Sequence, residues 1–175
     1  PSGIVRIEKI CLIGNGVVID LWKLHEEITE LKSKGIEINS RNLKIADNAC
    51  LILPFHKDLD SLREESNLKN NIGTTKRGIG PAYEDKVGRR AIRVADLKDL
   101  DTIKQKISFL ADHHNPLRND YGKAPINEQE IIVELKEVFE KIKDYICTGW
   151  KFLSDSSKQG KKILFEGAQG AMLDI

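Results

Sequence analysis

Short apolar runs that stop at glycine or proline, separated by stretches with a helical period, constrain this chain more than any other feature. Ile10-Cys11-Leu12-Ile13 ends at Gly14-Asn15-Gly16, Val17-Val18-Ile19 follows at once, and Ala49-Cys50-Leu51-Ile52-Leu53 is closed by Pro54. A continuous apolar run of this length reads as a strand covered on both faces, as in a parallel sheet flanked by helices. Leu21, Leu24, Ile28 and Leu31 share one face of a helix predicted from about Leu21 to Lys34, with Asp20 as its N-cap and Gly35 as its stop. Asp58 to Glu65 is charged and helix-prone. Two further helices are predicted, from about Thr102 to His113 (Ile103, Ile107 and Leu110 in register) and from Glu128 to Cys147. Asn127 and Glu130 form a capping box at the start of the second, and the polar stretch from Asn115 to Pro125 between them reads as a loop. Lys161 to Glu166 reads as a last strand that runs into Gly167-Ala168-Gln169-Gly170. The alternation predicts an α/β fold with a mostly parallel central sheet covered by helices. Ligands of such sheets bind beyond the carboxyl ends of the strands, which marks Gly167 to Gly170 as a candidate site.

The chain has 175 residues, of which 40% are hydrophobic and 31% charged, so a packed core is expected and disordered or fibrous classes are disfavoured. With 28 Lys and Arg against 27 Asp and Glu, the net charge of +1 provides no global field to attract nucleic acid or an anionic membrane. Cys11, Cys50 and Cys147 have no CxxC spacing and read as reduced, buried thiols of a cytoplasmic protein. No apolar run approaches the ~18 residues that span a bilayer, so no membrane partner is expected. His25, His56, His113 and His114 carry no metal-ligand spacing and read as surface or helix-terminal residues, and Glu84-Asp85 reads as an ordinary exposed pair. The opening at Pro1-Ser2-Gly3 without Met, and the stop at Ile175 just after a strand and glycine loop, suggest an internal section of a longer chain.

One segment departs from this neutrality. From Lys76 to Arg93 the chain places Lys76, Arg77, Lys86, Arg89, Arg90 and Arg93 against Glu84 and Asp85, a net +4 within 18 residues. It follows a loop, Asn70 to Pro81, that carries Gly73, Gly78 and Gly80 among Thr74 and Thr75. Glycines let backbone N–H groups approach an anion, hydroxyls donate to it, and a guanidinium can grip phosphate with two parallel bonds. A solvated basic loop with glycines for turns is the other reading, and an RNA- or polyanion-binding module a further one, opposed by the low net charge and the 6% aromatic content. There is no Walker A loop and no dinucleotide-binding G-x-G-x-x-G, so neither phosphate signature is available. Gln169 offers an amide that donates and accepts together, as a heterocycle edge requires, or is simply a polar residue in a turn.

Gly73-Thr-Thr-Lys-Arg-Gly-Ile-Gly-Pro-Ala-Tyr-Glu-Asp-Lys-Val-Gly-Arg-Arg90 resembles the internal signature of the adenylosuccinate synthetase family. Pro1-Ser2-Gly3-Ile4, Ile13-Gly-Asn-Gly-Val-Val18 and Phe165-Glu-Gly-Ala-Gln-Gly170 resemble that family in the same order, so the likeness runs over essentially the whole chain. The resemblance implies a P-loop-NTPase-like α/β fold, incomplete here because 1–175 would be an internal part of one larger domain. It implies a GTP-dependent ligase of purine synthesis that joins IMP to L-aspartate, uses magnesium and works as a homodimer. Carried over by position, it implies that Thr75 bonds the IMP 5′-phosphate, Arg89 reaches the IMP phosphate of the neighbouring subunit, and Gln169 contacts IMP beside the purine. The catalytic aspartate and histidine, the main GTP contacts and the magnesium ligands are expected outside these residues, leaving no catalytic or metal residue within them. The 175-residue piece alone is accordingly expected to be inactive.

Overall fold

The computed structural model describes residues 1–66 and 75–168. Gln169 and the glycine loop that follows Ala168, like Gly73 and Thr74, lie outside the described residues.

Among the described residues five short strands carry the sheets: β1 (Cys11–Ile13), β2 (Val18–Ile19), β3 (Leu43–Ala46), β4 (Cys50–Leu51) and β5 (Ile146–Cys147). β3 lies between β1 and β5, pairing Ile45 with Ile13 on one side and with Ile146 on the other, while β2 pairs with β4 through Val18–Cys50 and Ile19–Leu51. Every one of these ladders is parallel, as the apolar runs predicted. Among the described residues six α-helices accompany them: α1 (Leu21–Ser33), α2 (Pro54–Ser66), α3 (Ile79–Val87), α4 (Leu100–Asp120), α5 (Glu128–Ile142) and α6 (Gly149–Lys158). α5 packs against both α1 and α4, and α2 against α3. The core runs through the sheets and α1, α2, α4 and α5, with Leu21, Ile45, Leu51, Ile107, Leu135 and Ile142 fully enclosed. Among the described residues no helix is long and apolar enough to cross a membrane.

The expected caps are present. The Asp20 carboxylate accepts from the Lys23 amide at 3.0 Å, and Asn127 accepts from the Glu130 amide at 3.3 Å while its side-chain amide donates to the Glu130 carboxylate. Gly35 turns left-handed after α1, with φ 81°.

Four expectations need correction. α5 ends at Ile142 and not at Cys147, because a tight 3-10 turn over Lys143–Tyr145 keeps a three-residue spacing and then releases Ile146 into β5. α4 continues past His113 to Asp120 with Pro116 inside it, on the exposed side where a missing backbone bond costs least. The segment from Asn70 to Pro81 is not loop throughout: α3 begins at Ile79, and Pro81 falls in its first turn, where an amide has no intrahelical acceptor to lose. Lys161 to Glu166 is irregular and exposed, with Leu164 90% and Phe165 79% accessible. An apolar run becomes a strand only when its backbone finds a ladder, and none of the described strands pairs with this one.

Candidate functional site

α3 and its two ends hold the basic segment. At the C-terminal end Gly88 closes the helix and Arg89 turns left-handed, with φ 59°. The Arg89 amide donates to the Lys86 carbonyl at 3.2 Å and the Arg90 amide to the Asp85 carbonyl at 2.8 Å. These two bonds are those of a Schellman stop, whose left-handed position is ordinarily glycine. Here glycine stands one residue earlier and arginine occupies the strained position, a conformation that costs an L-residue about 1 kcal/mol. The Arg89 side chain is exposed, and among the described residues it has no hydrogen-bond or ion-pair partner.

Beneath this turn sits a buried carboxylate. Asp85 is fully enclosed, and one of its oxygens, Oδ2, accepts from His56 Nε2 at 3.0 Å and from His114 Nε2 at 2.8 Å. The other, Oδ1, accepts from Arg90 Nε at 3.0 Å. His56 belongs to α2, Asp85 to α3 and His114 to α4, so three helices meet at one side chain. His56 Nδ1 accepts from the Leu53 amide at 3.0 Å, which fixes the tautomer that carries its proton on Nε2, facing Asp85. Burial alone would raise the Asp85 carboxyl, but hydrogen bonds from His114 and His56 outweigh it and hold the group well below the ordinary carboxylate range. Burial pushes His56 down and keeps it neutral, against the opposing pull of Asp85. The three residues were expected at the surface, and this is corrected: His56 is 1% and His114 5% exposed. One signal was available, since the spacing Ile103, Ile107, Leu110 continues to position 114 and places His114 on the buried stripe of α4.

At the N-terminal end of α3, Gly78 is left-handed with φ 77°, and its amide donates to the buried Asp60 carboxylate at 2.9 Å. A Cβ at Gly78 would lie 2.7 Å from the backbone of His56 and of Lys57, so only glycine fits. Thr75 precedes this turn and is exposed. It therefore lies at the opposite end of α3 from Arg89, across a nine-residue helix whose length is about 13 Å. The same chain does not bring the two side chains together on one face of a turn.

The middle of α3 is tied to the turn between β1 and β2. Lys86 Nζ donates to the carbonyls of Asn15 and Gly16, and the Tyr83 hydroxyl also donates to Gly16. Lys76 reaches Glu65 at 3.5 Å and Arg90 is bound to Asp85. Three of the six basic side chains of the segment, Lys76, Lys86 and Arg90, are thus paired with carboxylates or backbone carbonyls.

Among the described residues, one group has ligand atoms close enough for a metal ion: His56, Asp85 and His114, within 4.8 Å of one another. It does not fit magnesium, which takes an octahedron of oxygens. Nor does it suit a softer ion, because a metal at His56 Nε2 would move the imidazole proton to Nδ1, where it would face the Leu53 N–H.

Fold and site together define an α/β protein with parallel strands flanked by helices and an exposed arginine at the left-handed end of α3. The chain belongs to the adenylosuccinate synthetase family, whose model, described as adenylosuccinate synthetase, matches residues 1–175. Among solved structures it is similar to a fully ligated adenylosuccinate synthetase from Plasmodium falciparum, with 33% identity and a TM-score of 0.83. That match covers 99% of this chain and 40% of the Plasmodium chain.

Proposed function

We propose that these residues supply part of the IMP site of a GTP-dependent ligase that joins IMP to L-aspartate, forming adenylosuccinate, GDP and phosphate in purine nucleotide synthesis. The observation that carries the reading is Arg89, exposed, without a side-chain partner among the described residues and held in a strained turn where glycine would be cheaper. Family membership supports the same substrate class. Residues 1–175 act as an internal part of one larger domain in a cytoplasmic protein. Other residues of that protein bind GTP and magnesium and supply the catalytic aspartate and histidine.

Within this reading Thr75 donates its hydroxyl to the 5′-phosphate of the IMP in its own subunit. Arg89 reaches the phosphate of the IMP in the partner subunit of a homodimer, a division favoured by the placement of Thr75 and Arg89 at opposite ends of α3. Gln169 contacts IMP beside the purine. The ligase first phosphorylates the purine 6-oxygen from GTP, and the aspartate amine then displaces that phosphate. The contribution of this chain is orientation: a phosphate gripped at one end fixes the far, reacting edge of the purine.

Titration of the intact protein with IMP tests the reading. Arg89→Leu and Thr75→Ala should each weaken IMP binding by about tenfold or more, the ordinary cost of a charge-assisted phosphate contact. Unchanged affinity in both variants would overturn it.

A further inference from the structure

We infer that Asp85, with Arg90 as its lever, is a positioning residue that sets the Arg89 guanidinium for phosphate; the inference rests on the reading of Arg89 as an IMP ligand. Asp85 grips both sides of the turn. Its carbonyl accepts from the amides of Arg90 at 2.8 Å and Ala91 at 3.1 Å, and its carboxylate accepts from Arg90 Nε. Arg90 is therefore held to Asp85 through backbone and side chain at once, with Arg89, immediately before it, in the left-handed region.

The carboxylate is itself immobilised. His56 on α2 and His114 on α4 both donate to Oδ2, and the Leu53 amide fixes the His56 tautomer. This is more than a helix end requires, since the Schellman bonds are made by backbone alone. The cluster reaches toward solvent at Arg90, whose side chain is 22% exposed. The chain of contacts runs from three helices to one carboxylate, to Arg90, to the Arg89 turn. Rigid aim is what a guanidinium needs to meet a phosphate with two parallel bonds.

A double-mutant cycle in the intact protein tests this. Arg90→Met, chosen because the side chain is partly exposed and its loss leaves both histidine bonds to Asp85 in place, should weaken IMP binding about tenfold while kcat at saturating IMP and the KM for GTP change less than about twofold. Arg90→Lys, which keeps a charged donor for Asp85, should recover most of the affinity. In an Arg89→Leu background, Arg90→Met should have almost no further effect, and amide exchange at Arg90 and Ala91 should quicken when Arg90→Met is made alone. If Arg89→Leu weakens IMP binding but Arg90→Met does not, or if the two losses add in full, the positioning role is overturned while the reading of Arg89 stands. If Arg89→Leu leaves IMP affinity unchanged, that reading falls and the positioning role falls with it. Unaltered exchange at Arg90 and Ala91 in the Arg90→Met protein would overturn the positioning role by itself.

Discussion

The two ends of α3 make the same backbone choice for different reasons. Gly78 and Arg89 both have left-handed φ, at 77° and 59°. At Gly78 the conformation is architectural: the backbone of α2 passes so close that no side chain fits, and the amide is spent on Asp60. At Arg89 the surroundings are open, the side chain is exposed, and glycine would serve the turn better. A strained position with no packing reason is where function is to be sought. The difference separates a residue that the fold demands from one that the fold tolerates.

The comparison can be broken most forcefully at Gly78. Gly78→Ala should destabilise the intact protein by about 2–4 kcal/mol, combining left-handed strain with overlap on the α2 backbone. Denaturant unfolding would read it, and a loss under about 0.5 kcal/mol would show that the close approach is not structural.

A smaller effect sharpens the other end. His56 is neutral and pushed below its ordinary value of 6.5 by burial, so below pH 6.5 the unfolded chain takes up a proton that the native one resists. Stability should therefore fall with pH from about 6.5 downward, by at most about 1.4 kcal/mol per pH unit for this group. Asp85, held below its ordinary 3.8, contributes stability at higher pH that is lost only as pH drops below that value. Unfolding midpoints across pH 7.5 to 5 should decline, and His56→Gln should flatten the decline; an identical slope in that variant would refute the assignment to His56.

Much of this was legible in the residues. The caps at Asp20 and Asn127, the strands β1 and β4, and the isolation of charge between Lys76 and Arg93 follow from local patterns, and local patterns survive folding where the element is long or well capped. β3 and β5 were not legible, since Leu43-Lys44-Ile45-Ala46 and Ile146-Cys147 are too short to show a period and are strands only because they pair with each other and with β1. α3 was hidden by Gly80 and Pro81, both poor helix formers, and is stabilised by tertiary contacts at the buried Ala82 and Asp85. Asp85, His56 and His114 are separated by 29 residues on each side, so no motif could join them. Their meeting is a property of three packed helices.

Arg89→Gly tests the central claim most directly, because it removes the side chain and relieves the strain together. Measured on the intact protein, the account predicts unfolding stability that is unchanged or about 1 kcal/mol higher, with IMP affinity by calorimetry reduced about tenfold or more. Unreduced IMP affinity in a folded Arg89→Gly protein would contradict it.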